Sequence, residues 1–176
     1  MPINSVISEW KNKAISMILS QDNILDLFEK DDEELENIVY SNIYPFLYIP
    51  YTQTNVELYL NIEVSVPKVI WGAFKGYPQM IIQIICHQDK MRLNKAGISK
   101  TRMDYVSELL GQLFNNSDGW SGNRIQLISD VPDNLSPVYK RRTLIFQGEE
   151  LTINPCEGNF LWTNFRFIVI KKKHLC

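Results

Sequence analysis

The pattern of apolar and polar positions is most regular over residues 56–66, where the two kinds alternate strictly. A period of two is typical of a β-strand with one buried face. Pro67 follows directly and predicts the end of this strand, because proline has no backbone N–H to donate. Residues 80–86 form an almost continuous apolar run, which predicts a strand covered on both faces. We expect these two strands to pair at the centre of a sheet. The residues expected to be buried there are Leu60, Ile62, Ile82 and Ile84.

Two segments show helical spacing instead. Residues 5–19 repeat apolar side chains every three or four positions, with Ser5 as the expected N-cap. Residues 103–114 carry an apolar stripe, and Thr101 with Asp104 before it forms the pattern of a capping box. Shorter apolar groups flank an acidic run over residues 29–36. That run is either a solvated helix start or a docking face for a basic partner.

Three more strands are expected toward the C-terminal end, over residues 124–128, 138–147 and 160–170, with Asp130 and Asp133 in a turn-rich loop after the first. The order of elements predicts an α+β fold. In it, a mostly antiparallel sheet is packed by an N-terminal helix and a central helix, with extended loops or arms. The length of 176 residues predicts one domain. Its expected parts are a helical and extended region (1–55), a core (56–147), and a C-terminal strand with a basic tail (148–176).

Two segments combine large apolar residues with chain breakers. Over residues 43–51, Pro45 and Pro50 bracket an aromatic and aliphatic cluster, which favours an extended segment over a helix or a central strand. Residues 68–79 mix glycine and proline with aromatic residues and predict a long loop. Each segment either packs on its own core or contacts a neighbouring subunit. The residues expected at such an interface are Tyr44, Phe46, Tyr48, Tyr51, Trp71, Phe74 and Tyr77.

Charge limits the choice of partners. Lys and Arg total 18 and Asp and Glu total 20, a net charge of −2, which excludes a broadly basic protein that coats nucleic acid. The aromatic residues near the basic groups lie in strand patterns, so we expect no reading of bases. Passing DNA would be contacted through its phosphates alone. The residues expected to face such DNA are Lys90, Arg92, Lys95, Lys140, Arg141 and Arg142.

Candidate chemistry is sparse. Cys86, Cys156 and Cys176 form no CxxC motif, and their odd number indicates a reducing compartment. Cys86 and His87 are neighbours on a strand, so their side chains point to opposite faces and cannot act as a nucleophile–base pair. The spacing of these residues matches no zinc pattern, and the common catalytic motifs are missing. We expect neither an enzyme nor a cofactor. Without a signal peptide or an apolar stretch of ~18 residues, we also expect no membrane partner.

One succession of motifs resembles a known family. It runs through the residues 44–50 segment, the 56–66 strand, the run at 84–88, Gly97, Arg102 and Asp104 before the helix, and the strands near 124–130 and 139–144. This order is similar to that of the small neck and tail-completion proteins of tailed bacteriophages, especially their tail-terminator-like members. The similarity extends over about residues 5–147, and the 160–170 strand lies outside a minimal member.

The resemblance implies a non-enzymatic virion protein, made in the host bacterial cytoplasm, that forms a ring at the head–tail junction. Its partners would be further copies of itself in a hexamer or dodecamer, neighbouring neck, connector or tail-tube proteins, and passing DNA. A head-closure protein of the same neck and a cytoplasmic binding or adaptor module are the alternatives, and an unrecognised enzyme ranks after them.

Overall fold

The computed structural model describes residues 3–49, 55–70, 75–93, 97, 99–117 and 124–152. Within these residues the chain forms four α-helices, two short 3₁₀ turns and six strands. The helices are α1 (Ile3–Leu19), α2 (Asp22–Leu25), α3 (Asp32–Glu36) and α4 (Arg102–Phe114). The strands are β1 (Ile43–Tyr44), β2 (Leu58–Ile70), β3 (Lys75–His87), β4 (Ile125–Asn134), β5 (Tyr139–Gly148) and β6 (Leu151–Thr152).

The strands form one sheet in the order β1-β2-β3-β5-β4, and β6 continues beyond the end of β5 to pair with the start of β3. The β1–β2 pair is parallel, and the other described pairs are antiparallel. The predicted α+β fold class is confirmed.

The centre of the sheet is the β2–β3 pair, as the alternating pattern predicted. Leu60 lies opposite Ile84 and Ile62 lies opposite Ile82, and all four side chains are fully buried. Burying an aliphatic side chain of this size stabilises the fold by about 1.5–3 kcal/mol. The four side chains therefore form a stabilising block in the middle of the sheet.

Helices α1 and α4 cover one face of the sheet and share one apolar core with it. The predicted cap of α4 is confirmed, since the Thr101 hydroxyl accepts a hydrogen bond from the Asp104 N–H at 3.1 Å. The expectation that Ser5 caps α1 is wrong. The helix already begins at Ile3, so Ser5 lies inside its first turn.

The prediction of a long loop over residues 68–79 is wrong. Strand β2 continues past Pro67 to Ile70, and β3 begins at Lys75. The pairing shifts register between Ser65 and Lys68, so Pro67 falls in the irregular part of the ladder, where its missing N–H breaks no regular bond.

The prediction of a turn around Asp130 and Asp133 is also wrong, because β4 extends through Pro132 to Asn134. In the described part of the chain β4 pairs only with β5 and forms an edge of the sheet. An edge strand tolerates proline, since one side of it needs no partner. The strand expected over residues 160–170 lies outside the described residues.

Candidate subunit interface

Residues 40–49, which we call the aromatic strap, lie beside β2 at the edge of the sheet opposite β4. The exposed fractions of Tyr40, Phe46, Leu47 and Ile49 are 65%, 43%, 46% and 51%. The sequence has no acidic, basic or histidine residue from position 37 to position 56. Exposed apolar clusters without charged residues of their own occur at protein–protein contacts, at membrane contacts and at ligand-binding grooves.

Two side chains from other elements hold the backbone of the aromatic strap. The Lys11 ammonium of α1 donates a hydrogen bond to the Pro45 carbonyl at 3.1 Å, and the Asn61 amide of β2 donates to the Tyr48 carbonyl at 2.6 Å. Because the backbone is fixed on both sides of it, the Phe46 side chain is presented to solvent by the fold itself.

Two tyrosine rings of the aromatic strap and one of β2 pack together into a platform against which Phe46 lies. Tyr44 stacks on Tyr48 with 4.1 Å between ring centroids, and Phe46 meets Tyr44 edge-on at 5.4 Å. The buried ring of Tyr59 supports Tyr48 at 6.0 Å. Each such ring pair adds about 0.5–1.5 kcal/mol beyond the apolar area that it buries. Tyr44 and Tyr48 of the aromatic strap therefore pack on a second, smaller cluster of buried residues that includes Tyr59, while Phe46, Leu47 and Ile49 remain outside it.

Tyr44 and Tyr59 of this platform stay neutral at physiological pH. Burial raises the pKa of Tyr44 to about 12, and the neighbouring Tyr48 and Tyr59 contribute in the same direction. Burial, followed by the nearby Tyr139, raises the pKa of Tyr59 to about 12. The Tyr44 hydroxyl donates a hydrogen bond to the Ser41 carbonyl at 2.8 Å. These two tyrosines therefore add no charge to the uncharged surface.

The structure brings together only some of the residues expected at an interface. Tyr44, Phe46 and Tyr48 lie in one cluster. Tyr77 lies elsewhere, opposite Lys68 on β2, and its hydroxyl donates to Glu150 at 2.8 Å. The register places Tyr77 seven residues along β2 from Asn61, the partner of Tyr44, which is about 23 Å. Tyr51, Trp71 and Phe74 lie outside the described residues.

The basic residues expected to face DNA do not form one surface. Lys90 pairs with Glu29 at 2.7 Å and Arg141 pairs with Asp133. Arg142 lies on the helix face of the sheet, where it bridges Asp104 at 2.6 Å and Asp130 at 2.5 Å. Lys140 is half-buried, Arg92 is exposed, and Lys95 lies outside the described residues. That these residues contact DNA stays a prediction.

Arg102 appeared in the sequence only as part of the motif succession, with no role assigned to it, and it is the most enclosed charge among the described residues. Its side chain is 2% exposed. It donates to the Leu27 carbonyl at 2.5 Å and to the Lys90 carbonyl at 2.7 Å, and it pairs with Glu29. The only signal was its place directly after the Thr101 cap. From this position, at the start of α4, the side chain reaches the segment between α2 and α3.

Asn61 was expected on the polar face of β2, and it does lie on the face away from α1 and α4. The aromatic strap covers it, so its side chain is fully buried. The carbonyl oxygen of the Asn61 side chain, Oδ1, has no hydrogen-bond partner among the described residues. The sequence carried no sign of this burial, because the covering segment is distant in the chain.

Within the described ranges, no group of three or more His, Cys, Asp or Glu side chains is arranged to hold a metal ion. Cys86 is fully buried, and this burial raises the pKa of its thiol to about 12. Cys156, the other cysteine considered for zinc, lies outside the described residues. No described helix is long and apolar enough to cross a membrane.

Comparison with known proteins gave a family match and matches to solved structures. The model of the YomW family matches residues 12–147 of the chain. A chain from a structure titled "Virion of native gene transfer agent (GTA) particle" aligns with 11% sequence identity and a TM-score of 0.40, covering 71% of this chain and 89% of that one. No curated protein sequence matches the chain.

Proposed function

The chain belongs to the YomW family, and we propose that it is a structural protein of a phage-type virion, with copies of it forming a ring at the head–tail junction. The family carries a phage-type protein name, which supports a phage structural protein. The order of elements, similar to that of tail-terminator-like proteins, favours the neck of the particle. The observation that carries the proposal is the aromatic strap, an uncharged apolar surface that the fold holds toward solvent.

A ring is the assembly that we propose for this surface. The aromatic strap lies at one edge of the sheet, and we propose that it contacts a different surface of the next copy, away from β4. A contact between two different surfaces of identical subunits repeats around an axis and closes into a ring when the rotation allows it. Obligate interfaces are also richer in apolar residues than transient ones, which fits the exposed Phe46, Leu47 and Ile49.

The role proposed for the ring is mechanical. Tail terminator is the position we favour over head closure, with six or twelve copies that contact neighbouring neck, connector or tail-tube proteins. The net charge of −2 and the pairing of Arg141 and Arg142 with carboxylates leave little free positive charge there to grip DNA. Contacts with passing DNA would therefore be weak and would decrease with salt.

Mass photometry and negative-stain imaging of the purified protein test this proposal. We expect rings, and we expect Phe46→Ser with Leu47→Ser to shift the population to folded monomers, because both exposed anchors are lost. Ile128→Ser removes a similarly exposed side chain from β4 and serves as the matched control; it should leave the rings intact. Circular dichroism would verify that the variants fold. A wild-type protein that stays monomeric at every concentration, and that is not found in virions, would contradict the proposal.

A deletion phage tests the position in the particle. We expect unjoined heads and tails, or tails of abnormal length, in its lysates. Normal infectious particles would be incompatible with a neck role, as would tight, salt-resistant binding of DNA by the isolated protein.

A further inference from the structure

The aromatic strap has an acidic border. An open surface groove of about 350 Å³ is lined by residues of α3 and of the start of the aromatic strap, with Glu33, Glu34 and Ser41 among them. Asp31 caps α3 and Glu34 pairs with Lys30, so these two carboxylates have partners. Within the described part of the chain, Asp32, Glu33 and Glu36 are exposed and make no ion pair. The surface thus consists of an apolar part next to a partly uncompensated acidic part.

The sequence contains a segment with the complementary pattern. Eight of the eleven residues at positions 160–170 are aromatic or aliphatic, and Lys171, Lys172 and Lys173 follow at once. This segment lies outside the described residues. An apolar stretch followed by a basic cluster matches, part for part, an apolar surface bordered by an acidic helix.

We propose that residues 160–173 of one copy dock on the aromatic strap of a neighbouring copy. The apolar stretch covers Phe46, Leu47 and Ile49, and the three lysines lie over the carboxylates of α3. This inference rests on the proposed self-assembly and names the partner of the same surface. The apolar contact supplies most of the affinity, while the lysines fix the direction in which the segment lies.

The geometry favours a neighbouring copy over the subunit's own tail. Thr152 pairs with Lys75, at the end of the sheet where β2 reaches Ile70. The aromatic strap pairs ten residues back along β2, at Leu60, which is about 33 Å along the strand and about 14 Å across three strand spacings. Residues 153–159 span at most about 28 Å. Residue 160 of the same chain therefore cannot reach its own strap, and only residues from about 163 onward could reach it through a fully extended chain, whereas a neighbour's tail is free of this limit.

Cross-linking of the full-length chain tests the docking. One population carries Asn37→Cys next to the acidic helix together with Cys156→Ser and Cys176→Ser. The other carries Cys156→Ser only, so that its native Cys176 marks the tail. A short bis-maleimide is added to the mixture, and mass spectrometry identifies the joined peptides. The control replaces Asn37→Cys with Ile128→Cys, at the opposite edge of the sheet. Mass photometry of the same samples reports assembly separately.

We expect a cross-link between Cys176 and position 37, several-fold above the link to position 128. It should weaken several-fold when Lys171, Lys172 and Lys173 are changed to Glu, or when salt is raised to screen the lysines. Equal links to both positions would overturn the docking. A link within one chain, tested by placing Asn37→Cys in a chain that keeps Cys176, would overturn the choice of a neighbour. Rings without any link would overturn this inference while leaving the proposed function in place.

Discussion

At the residue scale, Arg102 joins three segments that are distant from one another in the chain. Its guanidinium reaches the carbonyls of Leu27 and Lys90 and the carboxylate of Glu29, so it ties α4 to the segments after α2 and after β3. A hydrogen bond from Lys90, followed by Arg102, lowers the pKa of Glu29 below its usual 4.5. Glu29 itself takes up a left-handed backbone conformation, with φ at 54°. The fold accepts this conformation where it places the carboxylate against two cations.

Replacing Arg102 by Met keeps an apolar stem of similar length and removes the donors. The buried Leu27 carbonyl and the partly buried Lys90 carbonyl then lose their partner, at about 1–3 kcal/mol for each fully buried group, so we expect a loss of roughly 3 kcal/mol in the free energy of unfolding. Urea titration followed by circular dichroism measures this loss. Arg92→Met, at an exposed position, is the matched control and should change the midpoint little. Equal midpoints for the two variants would show that the Arg102 contacts do not matter.

At the scale of elements, α4 begins where its own sequence dictates. Changing Thr101 to Ala removes the oxygen that accepts the Asp104 N–H, and an N-cap of this kind contributes about 1 kcal/mol. We expect Thr101→Ala to lower the urea midpoint accordingly, and Ser99→Ala, two residues earlier, to leave it unchanged. A Thr101→Ala protein as stable as the wild type would indicate that tertiary packing alone fixes the start of α4.

The sequence predicted what depends on near neighbours along the chain. The alternation over residues 56–66 identified the buried residues of β2, and the capping pattern identified the start of α4. Prediction from the sequence pattern failed where the local structure depends on the neighbouring strand or segment. Pro67 is tolerated because the ladder shifts register beside it, and Pro132 because β4 is an edge. Asn61 is buried because the aromatic strap crosses it. None of these conditions is visible in the local pattern.

At the scale of the whole molecule, one shared core joins the helices to the sheet, so damage at its centre should spread. Leu60→Asp places an unpaired charge among fully buried side chains, which costs several kcal/mol, on the order of the whole stability of a domain. We expect this variant to lose its cooperative thermal transition. Ser65→Asp, on the same strand at a half-buried position, should keep it. An unchanged melting temperature for Leu60→Asp would show that the strand register is different.

Because Cys86 is buried, the rate at which its sulfur atom is labelled reports how often the protein opens. The Cys86 thiol is inaccessible and its high pKa leaves almost no thiolate, the reactive species, in the native state. In a background of Cys156→Ser and Cys176→Ser, an alkylating reagent can modify the chain only during those moments when β3 separates from its neighbours. The labelling rate in native buffer then reports how often the centre of the sheet opens. If the ring forms as proposed, assembly should slow the labelling of Cys86, so that a single buried atom records whether the subunit is free or assembled.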